Sequence, residues 1–184
     1  LYGHQEGGEV GYNPQKPGRP SHTFHTYFAA NIRLVLDVEM ASGKKMASVY
    51  SRPGLWNLLA GLPRSAWPVF LRGDCAWGTE GAMSEAEEHG VNYLFKIKQS
   101  SNVKKLIKQL CRHATWEPAG KDFSGALSTL KLMGWSRERR VIVLRRRIRN
   151  GVMVEKKNKK GQMDLMVFGD ADQKYEYQVL VTSL

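Results

Sequence analysis

An α/β first half followed by a strand-rich second half is the fold the sequence predicts, and three observations carry the prediction. Apolar residues alternate with polar ones over residues 32–40, only Val35 breaking the polar face. A strand–helix–strand pattern spans residues 68–98 with connections short enough to demand a right-handed crossover and a parallel pair. From about Trp116 onward, apolar runs of strand length are separated by turn residues. With 184 residues, 42% of them hydrophobic and 24% charged, the chain has the composition of a folded protein and the length for one core with an inserted subdomain.

Each element has its own local cause. The opening 22 residues are rich in Gly and Pro, and Pro14, Pro17 and Pro20 recur every third residue, which favours an extended loop. Ile32, Leu34, Leu36, Val38 and Met40 then alternate with Arg33, Asp37 and Glu39, so this stretch pairs antiparallel with Thr23–Ala29. In SRPGLWNLLAGLP, Ser51 is placed to cap a helix, Pro53 suits its first turn, and Gly61 and Pro63 end it. PVFLRGD reads as a short buried strand, TEGAMSEAEEHG as a helix capped by Thr79 and closed by Gly90, and VNYLFKIK as the strand after it. Val103, Leu106, Ile107, Leu110 and Cys111 share one face of an amphipathic helix with lysines outside. Beyond it lie five strand-like runs: GALSTLKL, RRVIVLRRR, GVMVEKK, MDLMVFG and YEYQVLVTSL.

Lys and Arg number 28 against 17 Asp and Glu, a net charge of +11 that points to a polyanionic partner, nucleic acid first. No apolar stretch approaches the roughly 20 residues that span a bilayer, so no membrane partner is expected. Cys75 and Cys111 are too few for a disulfide framework and lack zinc-site spacing; a reducing cytoplasm suits them. The chain opens on Leu, without an export signal, and reads as a piece of something longer.

The chemistry concentrates at two places. Asp74 ends an apolar run at the carboxyl end of a strand, the rim where α/β sites form. One carboxylate holds a divalent ion poorly, and phosphoryl-transfer enzymes use several acids to hold two ions about 4 Å apart, so Asp74 needs partners. Asp37 and Glu39, on the polar face of an alternating strand, are expected to be merely solvated. Arg72-Gly73-Asp74 also spells an adhesion tripeptide, which a strand end without an export signal argues against. The second place is basic: seven of the thirteen residues from Arg137 to Arg149 are Arg, and KKNKK follows. Edge-strand protection would use Lys equally well, whereas guanidinium is the better phosphate ligand. His4, His22 and His25 are expected to be structural. Trp67, Trp77, Trp116 and Trp135 are expected to be mostly core, a Trp in the basic half being able to stack on an unpaired base.

The block YGHQEGGEVGYNPQKPGRPSH resembles bacterial insertion-sequence transposases of the DDE type, and the resemblance continues through SGKKMAS, FLRGDCAWG, HGVNYLFKIK, GWSRERRVIVLRRR and YQVLVTSL, over essentially the whole chain. It implies an RNase H-like mixed sheet with flanking helices and a β-rich insertion in the C-terminal half. The corresponding expectation is a partial catalytic core over residues 1–113 and a basic, β-rich insertion over 114–184. It also implies that Asp74 is the second acid of a catalytic, metal-binding triad, the first Asp and the final Glu lying outside the sequence. Where relatives often have Ser after that acid, Cys75 stands here. Further implications are two Mg²⁺ or Mn²⁺ ions in the intact protein, cleavage and strand transfer on transposon-end and target DNA, a homodimer, and a bacterial cytoplasmic location. Phosphate contacts are expected from Lys16, Arg19, Arg72, Arg139, Arg140, Arg145, Arg146, Arg147 and Arg149. Two alternatives stand beside this reading: a non-catalytic DNA-binding remnant and another RNase H-like nuclease.

Overall fold

Pro20 cannot donate a ladder hydrogen bond, so it takes the first position of a strand and not its middle. That strand belongs to a mixed α/β fold whose computed structural model describes residues 6–11, 17–44, 47–148 and 175–184. The chain divides into two compact units, Leu1–Tyr93 and Leu94–Leu184.

In the first unit, β1 (Glu9–Val10), β2 (Pro20–Ala29) and β3 (Leu34–Ser42) form an antiparallel sheet in that order. Phe24 pairs with Met40, His25 with Glu39 and Tyr27 with Asp37, and the register shifts between Tyr27 and Phe28. The alternation foreseen in β3 is present, but its apolar side is open: Val38 is 50% and Met40 63% exposed, with Phe24 beside them at 45%. The helix α1 (Ala47–Ala60) covers the opposite side, where Tyr27, Leu55 and Leu59 form the centre of a cluster. On the covered side the Tyr27 hydroxyl donates to Glu39 Oε2 at 2.8 Å and lies 2.6 Å from the Ser51 carbonyl oxygen, while the buried His25 Nε2 has no partner among the described residues. Glu39 is therefore half-buried and engaged, against the expectation that it is merely solvated.

Helix α1 begins four residues before Ser51, so Ser51 is an interior residue and not its cap, and Pro53 stands within the helix. It ends at Ala60, directly before Gly61 as the sequence predicts. After a 3₁₀ turn at Arg64–Ala66 come β4 (Phe70–Gly73) and α2 (Glu80–Glu88). Thr79 Oγ1 accepts from Ala82 N at 3.4 Å, making it the N-cap of α2. Gly90, at φ +63°, follows the C-cap His89 and takes the left-handed conformation that stops a helix. Across α1 and α2, Trp56 Nε1 donates to Glu85 at 2.8 Å and the Trp56 ring stacks on His89 at 4.1 Å. The strand β4 is not the buried strand the sequence predicts: Val69, just before it, is 80% exposed and Phe70 41%. It is the end member of its sheet, and an end strand has one neighbour to shield it.

The boundary between the units falls within β5 (Asn92–Lys96). The second unit continues with α3 (Ser101–His113), β6 (Glu117–Pro118), β7 (Phe123–Leu130), β8 (Arg139–Arg147) and β9 (Tyr175–Thr182). From β5 onward the strand order is β5-β9-β8-β7-β6, every pair antiparallel. Val141 and Val143 of β8 pair with Val181 and Val179 of β9, all four fully buried, as are Val103 and Ile107 of α3. Burial of a valine or isoleucine side chain contributes about 1.5–3 kcal/mol, so each of these six side chains, like the fully buried Phe95, is a substantial part of the unit's core. The strands expected over residues 151–157 and 163–169, and the KKNKK run, lie outside the described residues.

Candidate functional site

Asp74 stands directly after the last residue of β4, exposed to solvent, and its own backbone turns there. Its Oδ1 accepts from Ala76 N at 2.9 Å and its carbonyl from Trp77 N at 3.1 Å. The side chain thus closes the turn that leads to Thr79 and α2, as Asp does in turns throughout proteins. One carboxylate oxygen is engaged in this way; the residue as a whole faces outward, with Arg72 also exposed two positions earlier. Cys75 is half-buried with a free thiol.

The described residues do not fit a two-ion centre. Among them no group of three His, Cys, Asp or Glu side chains is placed to hold a metal, so Asp74 brings a single carboxylate. Asp37 and Glu39 do not supplement it: Glu39 is committed to Tyr27, and Asp37 Oδ1 accepts from Val38 N at 2.7 Å.

The basic strand is more differentiated than its composition. A strand's side chains alternate between faces, so β8 sends Arg139, Arg145 and Arg147 to one face and Arg140 and Arg146 to the other. The run Arg145–Arg147 is therefore not one basic surface. Arg139 is only 4% exposed, which withdraws it from any contact with a phosphate backbone; it lines up with Val141 and Val143 on the covered face. Arg145 is half-buried between aromatic rings, 4.0 Å from the centroid of Trp116 and 4.7 Å from that of Tyr175. Arg146 pairs with Glu176 at 2.6 Å over the Phe123 ring, an exposed ion pair worth little to stability. Arg140 donates to the carbonyl oxygen of Leu184. Arg147 is exposed, as is Arg19 in the loop before β2. Lys16 and Arg149 lie outside the described residues.

The aromatic setting of Arg145 goes beyond a reading of charge. Trp116 precedes β6, Tyr177 is the Cα partner of Arg145, and Tyr175 is two residues from Tyr177, so β9 and the segment before β6 meet at one side chain of β8. Tyr177 is buried and its hydroxyl lies 3.2 Å from Cys111 Sγ of α3. Burial first, and then the hydrogen bond and charge of the neighbouring thiol, raise the Tyr177 phenol well above its ordinary range. In the sequence the Tyr-x-Tyr of β9 and the alternation of β8 were visible; their pairing was not, because register across a 27-residue connection is a tertiary property.

No protein-family model matches the chain, and no curated protein matches it.

Proposed function

We propose that the chain is a DNA-binding part of an RNase H-like, DDE-type transposase catalytic domain, in which Asp74 is one acid of the triad. The observation that carries the reading is the position of Asp74: an exposed carboxylate at the carboxyl end of β4, held in the turn to a capped helix. Mixed α/β architecture, a strand–helix–strand run around that acid and a strand-rich basic second unit agree with the element order of that family. The open edge of β4 offers a place for a further acid-bearing strand. In the intact protein the activity is DNA strand cleavage and transfer, with Mg²⁺ or Mn²⁺ as the cofactor, DNA as the partner and a homodimer as the assembly. No metal-dependent step is assigned to the residues described, which bring one carboxylate.

DNA binding is the part of this proposal that the chain itself can display. Fluorescence anisotropy with a labelled duplex should give salt-sensitive, sequence-tolerant binding. Neutralised phosphates release counterions, so affinity should fall by orders of magnitude between ~50 and ~200 mM salt. Replacing Arg145, Arg146 and Arg147 together with Ala should weaken it further at every salt concentration. Binding that ignores both salt and the triple change would remove β8 as the contact surface.

The non-catalytic alternative has one specific observation in its favour. The basic residues are present while no group of metal ligands is assembled among the described residues. The presence or absence of catalysis when the remaining acids are supplied separates the two.

A further inference from the structure

Among the described residues of the second unit, three buried N–H groups, Trp116 Nε1, Arg139 Nε and Arg145 Nε, have no acceptor, and the first and last of them lie side by side. Buried polar groups are almost always paired, so two adjacent orphans of the same sign call for an explanation. They belong to a single stack. The Arg145 guanidinium lies 4.0 Å from the Trp116 ring centroid and 4.7 Å from the Tyr175 centroid, and Tyr177 meets Trp116 edgewise at 6.4 Å. Among the described residues no carboxylate pairs with Arg145, unlike Arg146, whose charge is taken up by Glu176.

We infer that the Trp116–Arg145–Tyr175 stack is an anion subsite that takes a phosphodiester oxygen of a bound nucleic-acid strand. The inference rests on the DNA-binding reading and gives it one defined contact. Both orphan groups are donors, so the missing partner is an acceptor, and an anionic oxygen with several lone pairs can accept from more than one neighbouring donor. The rings hold the planar guanidinium by cation–π contact, which fixes its orientation before any ligand arrives and lowers the entropy lost on binding. Lysine has neither the planar fork nor an Nε–H, so charge alone does not reproduce the site. Trp116 supplies a donor as well as a stacking face; Tyr175 is a positioning residue that acts through Arg145. Exposed Arg147, on the same strand, contributes by charge and not by such fixed geometry.

The test uses the whole 184-residue chain, ¹⁵N-labelled. The Trp116 indole and Arg145 Nε–H resonances are assigned by their loss in Trp116→Phe and Arg145→Lys. Titration with a short DNA duplex should move both resonances along one saturable curve, while inorganic phosphate at the same concentrations leaves them nearly in place. Arg145→Lys should weaken duplex binding about tenfold, the loss of a charge-assisted hydrogen bond, without changing the salt slope. Arg147→Ala should instead lower that slope by about one. Duplex binding with both resonances stationary and Arg145→Lys unaffected overturns the subsite and leaves the DNA-binding reading intact. If the unaltered chain binds no duplex, that reading fails and the nucleic-acid subsite fails with it; movement on phosphate alone would then mark a free-anion site. The resonances of the unaltered protein decide the matter even if a variant does not fold.

Discussion

Tyr27 accounts for a polar face turned toward a helix. Its ring belongs to the cluster with Leu55 and Leu59, while its hydroxyl reaches Glu39 and the Ser51 carbonyl, so one residue serves apolar packing and polar satisfaction together. Tyr27→Phe keeps the ring and strands the Glu39 carboxylate. It should cost about 1.5–3 kcal/mol, read as a lower urea midpoint at unchanged m-value. The phenol also sets a pH limit. Burial, followed by the Glu39 hydrogen bond and charge, raises Tyr27 well above the ordinary tyrosine value of 10.0, and Tyr177 moves the same way. A pKa raised in the folded state gives stability that is whole below the unfolded value and is lost as pH climbs above it. Stability should therefore hold up to about pH 9–10 and then fall. Tyr27→Phe, already destabilised at neutral pH, should show a shallower alkaline decline. Phenolate absorbance from these two tyrosines appearing near pH 10 with the fold intact would contradict this.

At the scale of elements, α1 carries a glycine that helix propensity would discourage. Gly54 sits where an added Cβ would overlap the carboxylate of Glu39, which Tyr27 already holds. In an unconstrained helix Gly→Ala stabilises by about 0.5–1 kcal/mol. Here Gly54→Ala should destabilise by about 1–3 kcal/mol, the cost of overpacking. Combined with Glu39→Ala the sign should reverse, and a double-mutant cycle by thermal unfolding measures the coupling. The strand β8 gives the second lesson of this scale. Its arginines were legible as a run, yet the pleat and the cover on one face leave Arg139 inside, Arg145 between rings and Arg147 in solvent.

For the whole molecule, the action on DNA proposed above rests on a sequence charge of +11 and on an exposed acid at a strand end. No helix among the described residues is long and apolar enough to cross a membrane. One carboxylate holds a divalent ion poorly, so with Asp74 as its single triad acid under the proposed reading the chain as it stands should show no Mg²⁺-dependent nicking of supercoiled plasmid. Robust nicking that disappears in Asp74→Ala would mean that a complete centre forms after all. By itself the sequence determined what depends on near neighbours along the chain. The antiparallel pairing of β2 with β3, the Thr79 cap, the Gly90 stop and the apolar stripe of α3 follow from alternation, helical spacing and backbone preference. Only the tertiary structure decided which side of the β2–β3 sheet is covered, that Glu39 is engaged, that β4 is half-open, and which arginines remain available. Burial is set by what packs against a face, and residues distant in sequence supply that packing: Tyr27 meets Ser51, and Arg145 meets Trp116 and Tyr175.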